Sequence, residues 1–419
     1  LSFVAVGLLM ASAPASLLVD ERPSRADASR AAWRNSVSWI VSTARGGLRT
    51  QLVATIGLAP LSLVFFGQLS LVGFAANLVA IPLVTLVITP VALLGVAVPA
   101  LWSAGAVAVA VLNAVLGGLA AWPAAVWTVP VAPGWARCAG LVGALLVVAP
   151  WPWRMRALAV LLLLPLLWPA RELPPPGAFE LMALDVGQGT AVLVRTRTHT
   201  LLFDAGPQYT RDSDAGVRVL LPLLRAIGES RLDALVLSHR DLDHVGGAPA
   251  LLQALPVDEL ISSLEDGHPI LATARRATRC AAGMSWRWDG VRFDVLRPEP
   301  ADYDRALKSN AMSCVLRIVA GEGGRADVAS PSALLTGDIE RDQEAALVAA
   351  QPGGALGSEV LIVPHHGSRT SSTPAFLDAV QPDVAIVQAG YLNRFGHPAP
   401  DVMARYAERG IAVRRSVSC

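Results

Sequence analysis

Five of the chain's seven histidines fall in three short stretches, and the densest of these also carries the carboxylates that metals use. It runs Ser238-His239-Arg240-Asp241-Leu242-Asp243-His244-Val245-Gly246-Gly247. Four metal-competent side chains occupy six positions, directly after an apolar run that reads as a buried strand. Such a turn aims imidazoles and carboxylates at one point. Three nitrogen or oxygen ligands per ion, with one position left open, are what a hydrolytic metal site needs. The other two stretches are Val363-Pro364-His365-His366-Gly367-Ser368 and Gly396-His397-Pro398. The His pair reads either as two functional imidazoles or as one core histidine beside one exposed; His397 reads either as functional or as loop packing. His199 and His268 lie outside these stretches and read as surface histidines. No Ser/His/Asp or Cys arrangement competes, and Cys138, Cys280, Cys314 and Cys419 lack the CxxC spacing of a structural zinc site. A Cys280–Cys314 disulfide is an option only outside the cytoplasm.

The elements around these stretches alternate. Residues 179–185, 191–196 and 200–204 read as strands, 217–227 as a helix, 234–238 as a buried strand and 245–252 as a helix. Further strands fit 291–296, 314–319, 333–336, 360–363 and 384–388, with helices over 341–349, 374–380 and 400–409. Hairpins mixed with helices predict an α/β domain of two packed sheets covered by helices.

That domain occupies only the second part of the chain. The whole has 419 residues, 53% hydrophobic and 16% charged, with mean hydropathy +0.49, against about 25% charged for a soluble domain. Residues 1–171 hold 10 of the 34 Lys+Arg and 3 of the 33 Asp+Glu, a balance of +7; residues 172–419 hold the other 24 and 30, a balance of −6. Between Arg49 and Arg154 the only charged residue is Arg137. A single soluble domain, a disordered chain and a disulfide scaffold are excluded. The division expected is a polytopic α-helical membrane domain over 1–171, a stiff linker over 172–178 containing Pro174-Pro175-Pro176, and a soluble domain over 179–419. Apolar runs over 1–19, 52–68, 71–98, 103–128, 134–150 and 155–170 are the expected spans, with 20–49 as an Arg-rich amphipathic surface segment. Asn77 and Asn113 inside these runs read as helix–helix amides or as pore lining. Six spans with the positive-inside rule put the soluble domain outside the cytoplasm. The chain opens at Leu1 in an apolar run already under way, and is expected to lack an N-terminal part.

The stretch from His239 to Gly247 resembles the ligand motif of the metallo-β-lactamase superfamily, His-x-His-x-Asp-His before small glycines, with Asp241 in place of the second His. Leu184-Asp185-Val186-Gly187-Gln188-Gly189, Leu335-Thr336-Gly337-Asp338, the His365-His366 stretch and Gly396-His397-Pro398 narrow the resemblance to the DNA-internalization competence proteins, the ComEC family. Thr55-Ile56-Gly57-Leu58, Phe66-Gly67-Gln68 and Ala76-Asn77-Leu78 resemble that family's channel-like domain. The resemblance implies an αββα metallo-β-lactamase-like domain and a function in DNA uptake across the bacterial inner membrane, with metal-dependent phosphodiesterase or nuclease activity. It implies one or two divalent ions, held by His239 and Asp241 and by Asp243 and His244, with Asp338 bridging and His365 or His366 completing the second site. The other His of the pair, with His397, would contact the scissile phosphate or protonate the leaving oxygen; we take His365 as the ligand, with His366, His397 and Asp243 in the chemistry. Asp204 and Asp185 would orient the ligands from behind, and Ser368 with Gly367 would hold a phosphate oxygen. Oxygen-rich ligation shifts the expected metal from zinc toward manganese.

Two positions depart from the family's pattern. The superfamily's third-region His has no counterpart, the stretch 309–313 standing in its place, and Thr190 stands where the family usually has Asp. Expected partners are DNA, passing as a single strand through the membrane domain, membrane lipid, a separate DNA receptor and, since no GxxxxGK[ST] motif is present, a separate ATP-driven motor. Further copies of the chain are an open alternative. The −6 balance argues against strong duplex binding; Arg275, Arg276 and Arg279 read either as a local DNA contact or as a solvated helix face. The rival functions are a membrane-tethered hydrolase of a small ester or nucleotide, and a DNA channel whose hydrolase domain is inactive.

Overall fold

The computed structural model describes residues 28–149, 151–321 and 330–416. The chain divides into two compact units, Leu1–Arg171 and Glu172–Cys419.

In the first unit, three helices among the described residues are long and apolar enough to cross a membrane: Arg45–Phe66, Gly73–Leu94 and Ala100–Ala120. Two features depart from the expected spans at their ends. Helix Ala28–Phe66 is continuous, so the described part of the Arg-rich segment expected to lie on the surface leads straight into the first span. Between Ala28 and Arg45 the chain is mostly Ala, Ser, Arg and Val with neither Gly nor Pro, so nothing breaks the helix there. Secondly, Gln68–Ser70 and Val126–Thr128 leave the helical path and pair antiparallel. Gly67 makes that exit possible, because its φ is +61° and a Cβ would stand 3.2 Å from the Val129 carbonyl oxygen. The expected span at 134–150 is a shorter apolar helix, Gly134–Val147. That at 155–170 is broken into Trp153–Leu161 and Leu164–Leu167, since Pro165 has no N–H with which to continue the ladder. Residues 1–19 lie outside the described residues.

The second unit is an αββα sandwich. Among the described residues, one sheet orders Ala277–Arg279, Val257–Ser262, Leu232–Leu237, Thr200–Phe203, Val192–Arg195 and Glu180–Ala183. The other orders Ser285–Trp288, Val291–Arg297, Val315–Val319, Ser332–Leu335, Val360–Ile362, Val384–Val387 and Ala412–Arg415. Each sheet is antiparallel at one end and parallel at the other.

Period-2 alternation explains the layering. Val192, Val194, Leu201, Phe203, Ala234 and Val236 point between the sheets, against Val291, Phe293 and Leu316. Their neighbours Leu193, Leu202 and Leu235 point the other way, onto helices Leu221–Ile227 and Ala248–Ala254. On the far side Leu334 and Leu361 pack under helices Arg341–Ala350, Pro374–Val380 and Pro400–Glu408 through Leu347, Phe376 and Tyr406. Both faces of the central strands are therefore apolar, and their polar ends are free to carry chemistry. The Arg cluster at 275–279 lies at the sheet edge rather than on a helix, with Arg276 paired to Glu259 at 3.3 Å and Arg279 to Asp266 at 2.7 Å.

Candidate metal centre

Several strand ends deliver the histidines and carboxylates. His239 and the Asp241–His244 turn follow strand Leu232–Leu237; Asp338 follows Ser332–Leu335; His365 and His366 follow Val360–Ile362. Asp243, His244, Asp338 and His366 each offer one ligand atom, and these four atoms lie within 4.8 Å of one another. Nε2 of His244 is 3.2 Å from Asp338 Oδ1, and Nε2 of His366 is 3.3 Å from Asp243 Oδ2 and 3.6 Å from Asp338 Oδ2. Nε2 of His239 is 3.6 Å from Asp241 Oδ2 and 4.0 Å from Asp338 Oδ2. Asp338 thus stands between a His239/Asp241 pair and an Asp243/His244/His366 trio.

The hydrogen bonds behind the ligands decide which ring nitrogen faces inward. Asp204, fully buried, accepts from the Ser238 backbone N–H, the Ser238 hydroxyl and His244 Nδ1, each at 2.7 Å. His366 Nδ1 donates to the Gln388 carbonyl oxygen at 2.7 Å. A carboxylate and a carbonyl can only accept, so both rings carry their proton on Nδ1 and turn a lone pair on Nε2 toward Asp338. Nε2 of His239, His244 and His366 and Oδ1 of Asp338 are all buried without a hydrogen-bond partner. Leaving a buried polar atom unpaired costs about 1–3 kcal/mol, and here four converge. A divalent cation satisfies such a set; the residues fit one.

The charges agree. Burial works against a charge on His244, but Asp338 and Asp204 beside it prevail and raise its pKa well above the usual range. Burial likewise opposes ionisation of Asp338, yet the charges of His244 and His366 hold its pKa well below the carboxylate range. Asp241, with His239 Nε2 3.6 Å from its carboxylate, is held at about 2. The centre keeps its carboxylates ionised and calls for positive charge.

Small residues let the loops converge. Gly337 has φ +54°, and a Cβ on it would meet the Cβ atoms of Ser238 and Ser313 at 2.9 and 3.0 Å. Ser313 itself accepts from the Asp338 N–H at 3.1 Å and lies 3.4 Å from His239 Nδ1. It comes from the 309–313 stretch, where the third-region His is missing.

Several expected residues take other places. His366, not His365, joins the cluster. His365 stands beside it, Nε2 3.8 Å from Asp338 Oδ2 and Nδ1 3.3 Å from Glu340 Oε1 and 3.2 Å from Thr370 Oγ1. His397 lies at the rim, its ring centroid 5.7 Å from that of His365, with Nδ1 buried and unpartnered. Asp185 is exposed and accepts from its own turn, Gly187 N–H at 3.1 Å, so it does not reach the ligands. The turn contributes through backbone instead: Thr190 N–H donates to the Asp243 carbonyl at 3.1 Å. Gly367 packs on Pro398, and the Ser368 hydroxyl is engaged by Thr370 at 3.1 Å rather than presented to the centre. Gln388 and Ser313 were not singled out from sequence; Gln388 acts on His366 through a main-chain carbonyl, which leaves no signal in its side chain.

The layered sheets and the buried donor set define a metallo-β-lactamase superfamily domain, and residues 184–391 match that superfamily's profile. Residues 1–168 match the family described as competence protein. The chain therefore joins a competence-protein domain to a metallo-β-lactamase domain. It is 36% identical over 361 residues to competence protein ComA of Neisseria gonorrhoeae, covering 84% of this chain and 47% of that protein. It is 31% identical over 378 residues to the uncharacterized protein YcaI of Escherichia coli K12, covering 87% and 46%. The chain spans about half the length of these curated relatives. Among solved structures, the metallo-β-lactamase fold protein YhfI of Bacillus subtilis aligns at 13% identity and TM-score 0.36, over 57% of this chain and 95% of that one.

Proposed function

We propose that this chain takes part in DNA uptake across the bacterial inner membrane, and that its second unit is a metal-dependent phosphodiesterase of nuclease type that processes the DNA. One observation carries the hydrolase reading: the buried, unpartnered Nε2 atoms of His244 and His366 and Oδ1 of Asp338 belong to a cluster, completed by Asp243, whose ligand atoms lie within 4.8 Å of one another. Likeness to competence proteins over both units supports the uptake reading.

His239 and Asp241 would hold one ion, and Asp243, His244 and His366 a second, with Asp338 standing between the two sets. When bound, divalent metal supplies Lewis-acid polarisation of the phosphoryl oxygens and acidifies water. Three carboxylates among the donors favour manganese over zinc. His365, anchored by Glu340 and Thr370, and His397 hold the proton destined for the leaving oxygen. In this reading the protein is multi-pass, one DNA strand passes through the first unit, and the second unit lies outside the cytoplasm. The pairing of Cys280 with Cys314 supports that placement, since disulfides persist in oxidising compartments. A separate receptor and an ATP-driven motor supply capture and force.

The test is the purified 419-residue chain in detergent, incubated with manganese or zinc and with single- or double-stranded DNA, beside a D243A/H244A variant. Metal-dependent cleavage absent from the variant is expected. Metal bound with no cleavage of either form would overturn the nuclease reading, and would favour an inactive domain or a small-ester hydrolase.

A further inference from the structure

Apolar surface on the second unit is concentrated in one place. Outside the linker, the large apolar side chains exposed among its described residues are Tyr209, Val217, Leu242, Tyr391, Leu392 and Phe395. All six come from loops that carry or adjoin the residues of the metal centre. Leu242 sits in the Asp241–His244 turn, and Tyr209 and Val217 in and just after the hairpin Gln208–Asp214. The other three belong to the loop 390–396, which leads into His397. These loops are tied together. The Tyr209 hydroxyl donates to the Val186 carbonyl at 2.9 Å and the Gly390 N–H to Gln188 Oε1 at 3.2 Å, so both rest on the turn 186–188. Gly246, just after the Leu242 turn, lies so close to the Gln208 backbone nitrogen that a Cβ would collide with it. The six side chains therefore form a rim, and a clustered apolar rim marks an interaction surface.

Its chemistry selects the partner. Tyr391 and Leu392 are the central residues of a turn closed by the Asn393 N–H on the Gly390 carbonyl at 3.2 Å, and are 66% and 84% exposed. Leu392 holds φ at +49°, where a turn ordinarily takes Gly, Asn or Asp. Strain of that kind is kept where the side chain has a task. Leu392, Val217 and Leu242 are aliphatic, with neither a hydrogen bond nor a π-face to offer a nucleic acid; an apolar layer suits them. Beside the tip stand the exposed Arg394, Arg414 and Arg415, none with a carboxylate partner among the described residues, in a unit whose formal balance is −6. The exposed carboxylates of the rim, Asp185 and Asp212, lie on the hairpin side, so the basic excess is at the tip. Phe395 is covered by His397, at 5.8 Å between centroids, and by the Arg394 guanidinium at 4.8 Å, and backs the tip from behind. A Tyr and aliphatic tip flanked by arginines has the make-up of a segment that lies in a headgroup layer. The linker joins this unit to one whose helices are long and apolar enough to cross a membrane, so a bilayer is present at high effective concentration.

We propose that this rim docks on the surface of an anionic bilayer, with Tyr391 and Leu392 entering the headgroup layer and Arg394, Arg414 and Arg415 lying on lipid phosphates. The proposal is independent of the phosphodiesterase reading. Docked in this way, the metal centre works at the lipid surface.

The experiment places the 419-residue chain, one copy per disc, in lipid nanodiscs of phosphatidylcholine with or without phosphatidylglycerol. In a C138S/C419S background, L392C carries an NBD fluorophore. D258C is the control, because Asp258 is exposed at the start of strand Val257–Ser262, the end of the sheet away from the metal centre. Headgroup-nitroxide lipid quenches a probe at the bilayer, and iodide quenches one in water. In anionic discs the lipid nitroxide is expected to quench the probe at position 392 and iodide to miss it, with the reverse at position 258. R394Q/R414Q/R415Q should lower the docking constant about fivefold per arginine, and neutral discs should do the same. Y391S should weaken docking in both lipids, and Y391F should retain it. Phe395 is left unaltered because it packs on His397. Chelator competition for zinc, expected to be equal in all these variants, separates loss of docking from misfolding. A probe at position 392 open to iodide and untouched by lipid nitroxide in anionic discs would overturn the proposal. So would equal lipid quenching at both positions. Shielding from iodide that appears only with two chains per disc would assign the rim to a second copy instead, and shielding only on adding an oligonucleotide would assign it to nucleic acid.

Discussion

Replacing Asp204 by Asn changes one atom and tests the whole logic of the centre. Asp204 accepts three hydrogen bonds, two from Ser238 and one from His244 Nδ1. An amide has one acceptor oxygen and one NH₂ donor. If its oxygen keeps the Ser238 backbone N–H, its NH₂ faces His244 Nδ1. The imidazole then relieves the donor–donor contact by moving its proton to Nε2, the nitrogen directed at Asp338 from 3.2 Å. That tautomer has no lone pair for a metal. Loss of such a supporting carboxylate weakens metal binding by about 10- to 100-fold, or about 1.4–2.8 kcal/mol. Flipping the amide instead sets a donor against the Ser238 N–H and leaves a buried group unpaired at about 1–3 kcal/mol. The assay is competition between the 419-residue chain and a chromogenic chelator for zinc and for manganese, paired with melting curves in EDTA. The expected result is weaker metal binding together with a smaller metal-induced rise in Tm. A D204N variant that melts lower in EDTA yet binds metal within a factor of about two of wild type would show that Asp204 merely packs, and the tautomer argument would fall.

Further predictions rest on other contacts. Gly337→Ala places a Cβ against Ser238 and Ser313 at a left-handed φ; a loss of about 1–3 kcal/mol in denaturant melts is expected, with weaker metal binding as Asp338 is displaced, and an unchanged melt would contradict the packing described. The Cys280–Cys314 link closes a separation of 34 residues, so C280A/C314A should lose about 3–4 kcal/mol on the chain-entropy estimate; equal melting of the variant and oxidised wild type would argue that the link is not formed in solution. Asp289 accepts from the Thr196 hydroxyl and the Thr198 N–H, each at 2.7 Å, and although burial opposes its charge these bonds hold its pKa well below the usual range. A depressed carboxylate stabilises above its unfolded value of about 3.9 and loses that contribution as pH falls toward its folded value. Wild type should therefore exceed D289N at neutral pH by an amount that stays level down to about pH 5 and shrinks below about pH 4; a gap that widened in acid would reverse the assignment.

Much of the second unit was legible because its strands obey one rule. Leu193 between Val192 and Val194, or Leu202 between Leu201 and Phe203, are apolar on both faces, as buried strands of a layered fold must be. The strands that escaped notice break the rule. Val257-Asp258-Glu259 begins with charge, Ser285-Trp286-Arg287-Trp288 alternates with Arg, and Ala412-Val413-Arg414-Arg415 ends in it. The last two lie at sheet edges, where charge hinders pairing with other chains. Their strand character comes from register with distant partners such as Val384 for Ala412, which no local window contains. The first unit was read less well for the mirror reason. Uniform apolarity hides both the Gln68–Ser70 ribbon and the break before Pro165.

The His365–His366 pair shows where reading from sequence stops. Both residues sit in left-handed backbone, φ +49° and +54°, between Pro364 and Gly367. Such a turn sends adjacent side chains in different directions, so spacing alone cannot tell which enters the cluster. What decides is an acceptor 22 residues away: the Gln388 carbonyl takes the His366 Nδ1 proton. The Gln388 amide in turn donates to the Leu184 and Ala191 carbonyls at 2.9 Å each, bridging from one sheet to the other. His366 is thus fixed by the seam between the sheets. His365 is tied to Glu340 and Thr370 and remains partly exposed. A ligand needs the first kind of support, rigid and dry, and a group that passes protons to a substrate needs the second. Gln388→Ala, which keeps the carbonyl but removes the bridging amide, should therefore weaken metal binding through His366 while leaving the His365–Glu340 contact intact. Metal affinity unchanged in that variant would mean that the strand end holds the carbonyl in place without the bridge.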